Sequence, residues 1–369
     1  MEYRGSYETF DLSKVKTYPL KVRANKVELD GFVKVEELRK ADIRAPKRPW
    51  FRNGERGEGS DQSRGLKELA ERIVECRRDG KPVMVLSGAH PIKNGEIGIV
   101  IDLIERGMVT LYSTNGAGTI HSFELALTGA SSESVRDALP KGEFGMAFET
   151  GAYLNYAIEI GCENGWGLGE AMGRLYCDAK FRKEVIDRTF KHHKDTGEYL
   201  KPYEGFPHVD SCVFAAAYRK GIPACVHASM GTDIIDQHAS FNPGAKGQAS
   251  GTDFLIFCKE MCRFTKGGVI LNVGTAITGP EVVLKAVSMA ANVGCKPVGL
   301  VTGDFDIREF TFDDKTRDES KPYYYQRDQK SIATRIPKVF GGVGYYFEGM
   351  HRETLSALYQ YILEGLGAR

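Results

Sequence analysis

Residues 112–127 read YSTNGAGTIHSFELAL, and the interpretation of this stretch decides the fold. Three small residues, Gly116, Ala117 and Gly118, interrupt two different patterns. Before them, MVTLYS (108–113) is short, apolar and rich in β-formers, as a buried strand is. After them, Ile120, Phe123, Leu125, Ala126 and Leu127 follow helical spacing, with Thr119 or Ser122 able to cap. Strand, glycine turn and helix together place bare backbone N–H groups at the positive end of a helix, which attracts phosphate. The same sequence also suits a tight turn that binds nothing, since one glycine-rich corner is a weak signal.

Outward from this corner the pattern alternates. Leu66, Leu69, Ala70, Ile73 and Val74 mark an amphipathic helix. PVMVLSG (82–88) is a strand, and residues 95–106 form a second helix. Helix 211–221, strand IPACVHA (222–228), helix 251–264, strand GGVILNVG (267–274), helix 280–294 and strand KPVGLVTGD (296–304) follow. GVGYYFEGM (342–350) is the last strand and residues 351–365 the closing helix. Strands with near-continuous apolar cores between helices predict an α/β fold, a Rossmann-like, doubly wound and mostly parallel sheet. Residues 66–369 make up this domain. Residues 1–65 are charged, with prolines and a glycine-rich end, and read as an N-terminal extension packed on the body or on a neighbouring subunit. Trp50 and Phe51 are its anchors and 52–65 a mobile loop.

Bulk composition narrows the function. With 42% apolar and 27% charged residues, the 369-residue chain is ordinary for a globular protein. A formal net charge of +1 gives no field for nucleic acid or an anionic membrane. The eight cysteines form no Cys-x-x-Cys pair, and most lie in apolar surroundings, so a reducing compartment is expected. No apolar run reaches membrane-spanning length and the first residues lack a secretion signal. A cytoplasmic protein is the simplest expectation.

In parallel sheets, ligands sit beyond the carboxyl ends of the strands. The segments there are SGAHPIKNG, TNGAG, HASMGTDIID, GTAITGPE, VTGDFD and FEGMH, and five of the six place Gly beside Ser, Thr, Asn or Asp. A rim of backbone donors and small hydroxyls suits a nucleotide. Taken together, these segments resemble the deoxyhypusine synthase family. Residues 87–127 match its loop, helix, strand and T-x-G-G turn, with Gly95 and Gly118 in register. Residues 210–236 match the approach to its aspartate-bearing loop, and GGVILNVGTAI its glycine-rich strand end. VTGDFD and YYFEGMHRETLSAL match its last cofactor-contacting loops. The resemblance implies a Rossmann-like NAD-binding core, a homotetramer, and oxidation of spermidine before transfer of an aminobutyl group to a protein lysine. The acidic pair that follows the turn in that family is Ile120 and His121 here. Its histidine pair is Gly279 and Pro280, and Lys330 is the only lysine placed near its catalytic lysine. These departures point to a substrate other than spermidine.

The candidate residues follow. Gly88, Ala89, His90, Asn115, Gly116, Ala117 and Gly118 would let an NAD diphosphate approach backbone, and by resemblance Thr302, Gly303 and Glu348 would also contact the cofactor. Asp233 or Asp236 would accept the ribose hydroxyls, or serve as a cap and a solvated carboxylate. His121 is a candidate general base, favoured in its neutral form at a helix start, or else a capping or cofactor-contacting group. Lys330 is a candidate nucleophile, and Arg327 and Arg335 would hold an anionic substrate. No metal is expected under the main reading. Two other function classes remain open: a non-catalytic nucleotide-binding protein, and a metal-dependent hydrolase using His227, Asp233 and His238.

Overall fold

The computed structural model describes residues 5–310 and 331–368. Ten strands are present among them: β1 (Val27–Glu28), β2 (Trp50–Arg52), β3 (Glu55–Arg56), β4 (Val83–Ser87), β5 (Leu111–Asn115), β6 (Ala130–Ser131), β7 (Ala224–His227), β8 (Gly268–Val273), β9 (Leu300–Asp306) and β10 (Val343–Glu348). Eight of them form one mixed sheet in the order β3-β2-β10-β9-β8-β4-β5-β7. The six strands from β10 to β7 are all parallel. Numbered by their place in the chain from β4 onward, they read 3-2-1-4-5-6 from the β7 edge. This is the Rossmann order, with the reversal between β4 and β8.

Alternation along the strands explains why helices cover both faces. In β4, Val83 and Val85 join the larger core, beneath helices Ser63–Arg78 and His351–Leu366. Met84 and Leu86 join the second core, against helices Pro243–Met261 and Thr278–Asn292. β8 divides likewise, with Val269, Leu271 and Val273 on one side and Ile270 on the other. A strand buried on both faces has no reason to alternate in polarity, which is why the sequence reads as unbroken apolar runs.

The N-terminal residues depart from their expected form. Residues 52–65 are a loop only in part: 57–62 are irregular, and Ser63 already begins the next helix. β2 pairs antiparallel with β10, and β3 folds back on β2. Asn53 (φ 53°) and Gly54 (φ 87°) make the two-residue turn between them, the left-handed pair that a tight hairpin needs. Trp50 is buried against Tyr345 and Phe347. Gly57 and Gly65 admit that ring, since a Cβ on either would lie 2.1 or 2.4 Å from it. Further upstream, β1 pairs with β6, which carries the segment before it across the carboxyl edge of β5. Leu20 is buried there and its amide donates to Glu149 Oε2 at 2.7 Å. No helix among the described residues is long and apolar enough to cross a membrane.

Candidate functional site

The glycine corner after β5 starts helix Gly116–Thr128, as its sequence predicts. Asn115 is the cap, its Oδ1 accepting from the Gly118 amide at 3.1 Å. The Thr119 hydroxyl donates to the Gly116 carbonyl at 2.6 Å. The glycines themselves are required by close packing. A Cβ on Gly116 would lie 2.0 Å from Asp233 Oδ2, one on Gly118 2.2 Å from Thr114 Oγ1, and one on Gly88 2.2 Å from the Gly274 carbonyl oxygen. Each approach is to the protein itself, so glycine at these corners is explained without a ligand.

Beside this corner lies a cavity of about 250 Å³. Its ionisable walls are Arg23, Lys93, His121, Glu124, Glu133 and Asp233. Most of these charges are matched inside the protein. Arg23 is almost fully buried and donates to both Glu124 oxygens, at 2.8 and 2.6 Å. Burial alone would raise the Glu124 carboxyl, but the Arg23 hydrogen bonds and charge overturn this and hold it below its usual value. Glu133 accepts from the Gly145 amide at 2.8 Å, and burial leaves it raised. Lys246, 1% exposed, donates to Asp233 Oδ2 at 2.8 Å, Asp236 Oδ1 at 2.6 Å and the Ser229 carbonyl at 3.0 Å.

His121 faces the cavity from the second turn of its helix. Its Nδ1 lies 2.6 Å from Ser131 Oγ, which in turn donates to Glu124 Oε2 at 2.7 Å. Burial lowers the imidazole to about 4; Glu124 opposes the shift, while Lys93, Arg23 and His90 reinforce it. The ring is therefore neutral at neutral pH.

Several expected site residues sit elsewhere or are already engaged. Asp233 and Asp236 are not solvent-facing acceptors for a ribose, because Lys246 takes both and Asp236 also accepts from the Gly231 amide at 2.7 Å. Thr302 and Gly303 are not on the rim. β9 continues to Asp306, so both fall mid-strand, where the Thr302 hydroxyl donates to the Ile332 carbonyl and Gly303 packs on Leu69. Ala89 and His90 do lie at the carboxyl end of β4, and Glu348 ends β10, 3.7 Å from Arg48. Lys330, Arg327 and residues 323–325 lie outside the described residues. Arg335 closes a single π-type turn, Ser331–Arg335.

The metal alternative is not supported. His227 packs edge-on against Phe257, the His238 ring lies on Gly151 with Nε2 2.8 Å from the Gly145 carbonyl, and Asp233 belongs to Lys246. Among the described residues, no three metal-ligating side chains converge.

Sequence reading passed over Arg23, Lys93, Glu124, Glu133 and Lys246. For Glu124 a signal existed, since a carboxylate inside the apolar run IHSFELAL seldom enters a core unpaired. Arg23 and Lys246 carry no local signal; their partners are 101 and 10–13 residues away. A further unrecognised pair lies under the β8–β9 edge. Asn272 Nδ2 donates to Asp304 Oδ1 at 2.8 Å, and the other oxygen of each, Asn272 Oδ1 and Asp304 Oδ2, is buried without a partner. Burial raises the Asp304 carboxyl to about 8.

No protein-family model matches the chain, and no curated protein matches it. Solved structures resemble it loosely. The ternary complex of AgrE with ornithine and NAD+ is 15% identical at a TM-score of 0.42, with 82% of this chain and 33% of that one covered. The apo structure of ArgZ, an arginine dihydrolase from the ornithine–ammonia cycle in cyanobacteria, is 13% identical at 0.41, with 82% and 32% covered. A conserved LOR/SDH protein from Methanococcus maripaludis S2 is 12% identical at 0.41, with 84% and 72% covered. The chain thus spans about a third of the length of AgrE and ArgZ. These likenesses correct the deoxyhypusine synthase resemblance, because the structural relatives found are of the AgrE, ArgZ and LOR/SDH kind. The loop matches that suggested it are corner glycines set by internal packing and a Thr-Gly pair buried within β9. The strand order itself gives the chain a Rossmann-like α/β fold, and at these values the neighbours carry no argument of their own.

Proposed function

We propose that the chain is an NAD(H)-dependent enzyme acting on a small anionic substrate held in the cavity beside His121. The observation that carries this reading is the 3-2-1-4-5-6 strand order, whose reversal between β4 and β8 opens a crevice at the carboxyl edge. The residues at that edge fit a dinucleotide. His90 on one side and Ala276 and Ile277 on the other are exposed, so backbone from both corners would hold it. They do so without a spaced-glycine fingerprint, since Gly88 is committed to Gly274. When bound, NAD supplies a hydride acceptor.

The chain's own residues supply the rest. Lys93, which makes no ion pair among the described residues, faces the cavity and would balance the substrate's negative charge. His121, neutral and half-buried, would take the proton released as the substrate is oxidised. A cavity of about 250 Å³ limits the substrate to a small metabolite.

Calorimetry with NAD+ and NADH is the first test, and absence of binding by either sinks the cofactor half of the reading. NADH formation is then followed with a panel of small carboxylates and phosphates. His121→Ala should keep NAD binding and lose turnover. NAD binding with no turnover on any anion would instead favour a nucleotide-binding protein without chemistry.

A further inference from the structure

We infer that Ser131 and Glu124 are positioning residues that lock His121 as the Nδ1–H tautomer and leave Nε2 as its working nitrogen. This rests on the reading of His121 as the base, but the geometry stands by itself. The argument runs inward from the charge. Glu124 is fully buried, and it stays ionised because Arg23 grips both of its oxygens at 2.8 and 2.6 Å. An ionised carboxylate only accepts hydrogen bonds. The Ser131 hydroxyl, 2.7 Å from Glu124 Oε2, must therefore donate to it. A serine hydroxyl has one proton, so toward His121 it can only accept. The 2.6 Å contact then requires the imidazole proton on Nδ1. Thr150, donating to Glu124 Oε1 at 2.9 Å, fixes the other side of the same carboxylate.

Nε2 makes no hydrogen bond among the described residues, and the ring lines the cavity. Its lone pair is the one available to a substrate proton. On protonation, Nε2 gains the proton and the ring becomes imidazolium. The Nδ1–H bond to Ser131 is kept, and Glu124 remains ionised because Arg23 holds it. The charged groups facing the ring are Lys93 and His90 from the corner after β4, Arg23 from the N-terminal segment and Glu124 from its own helix. The first three disfavour a proton on the ring, and Glu124 favours it.

The test is long-range ¹H–¹⁵N correlation NMR on the full chain labelled with ¹⁵N-histidine. His121 is assigned by the loss of its signals in His121→Gln. The expected pattern is a protonated Nδ1 and an unprotonated Nε2, the reverse of the tautomer that histidine favours in water. Ser131→Ala should return His121 to a tautomer mixture or to Nε2–H, and Ser131→Thr should restore Nδ1–H. A wild-type signal of the Nε2–H form overturns the inference without any variant, as does an unchanged tautomer in Ser131→Ala. Failure of NAD to bind leaves these spectra unaffected, so the inference and the functional reading fail separately.

Discussion

Two places on the carboxyl edge of the sheet bury polar groups in opposite ways. At the β5 corner, the charges of Arg23, Glu124, Asp233, Asp236 and Lys246 meet partners at 2.6–2.8 Å. At the β8–β9 edge, Asn272 and Asp304 share one hydrogen bond and leave an oxygen each unmatched. The first arrangement keeps charges inside the protein by pairing them. The second keeps a carboxyl inside by leaving it protonated, with burial raising it to about 8. Breaking a pair should therefore harm the first at any pH, while the second should depend on pH.

The largest effect is expected from Arg23→Ala. It leaves Glu124 buried and uncompensated, and removal of one partner of a buried pair costs about 3–5 kcal/mol. Urea denaturation at pH 7 measures it. Arg23→Ala with Glu124→Gln should recover much of the loss, because no charge is then stranded. A double variant as unstable as the single one would show that Arg23 matters through packing and not through charge.

Asp304→Asn tests the other region. Pushed up to about 8 from its ordinary value of 3.8, the carboxyl binds its proton more tightly in the native state. Its contribution to stability is complete below about pH 4 and is lost as pH rises toward 8. The slope is at most about 1.4 kcal/mol per pH unit. Asn keeps the oxygen that accepts from Asn272 and has no proton to lose. The variant should be more stable than the parent at pH 8 and similar at pH 4, by denaturation at the two pH values. Equal pH dependence in both proteins would assign the slope to Asp253 and Glu96, each raised by burial to about 7.

The contrast between the two regions also explains what the sequence could reveal. Strands β4, β5, β7, β8, β9 and β10 and the helices flanking them were legible because an apolar run buried on both faces needs no distant partner to be recognised, whereas the short β6 and the helices Phe148–Glu163 and Ala179–His192 were passed over. The β5 corner was legible as a helix start, and His121 as a residue beside it. The hairpin at Asn53–Gly54 was legible in principle, since FRNGER carries the Asn-Gly pair, but the charged residues around it mask a strand that lies at the sheet edge. The cavity was not legible. Its walls join residue 23 to 124 and 233, and the first of these is brought into place by contacts between segments more than a hundred residues apart, the two-residue β1–β6 pairing and the Leu20 amide on Glu149. Thr302 was misplaced because a glycine near a strand end looks like the end itself, whereas Gly303 is there to admit Leu69.

The glycine corners offer a sharper comparison. Gly88→Ala would press a Cβ against the Gly274 carbonyl at 2.2 Å, a backbone atom tied into the neighbouring corner. Gly116→Ala would press one against the Asp233 carboxylate at 2.0 Å, a side chain that can move only by giving up Lys246. Both should cost about 1–3 kcal/mol by overpacking. Gly88→Ala should mainly lower thermal stability. Gly116→Ala should also disturb the cavity wall, and loss of substrate turnover with NAD binding intact would show that. If Gly116→Ala were neutral in both respects, the packing explanation for that glycine would fail.

The smallest effect concerns Lys93, which is half-buried and holds no structural ion pair among the described residues. Lys93→Gln should leave stability within about 0.5 kcal/mol of the parent, as surface substitutions without a structural role do. Its signature is electrostatic. The ammonium disfavours a proton on His121, so its removal should move the imidazole up from about 4 toward its ordinary value. In the parent, the depressed value contributes stability that is complete above about pH 6.5 and is lost as pH falls through 4. In Lys93→Gln that window should narrow from its lower end, and an NMR titration of His121 reads the change directly. A weaker response to Lys93→Gln than to His90→Gln would place the ammonium away from the ring. The anionic group of the substrate would then have to bind farther from the proposed base than the cavity walls suggest.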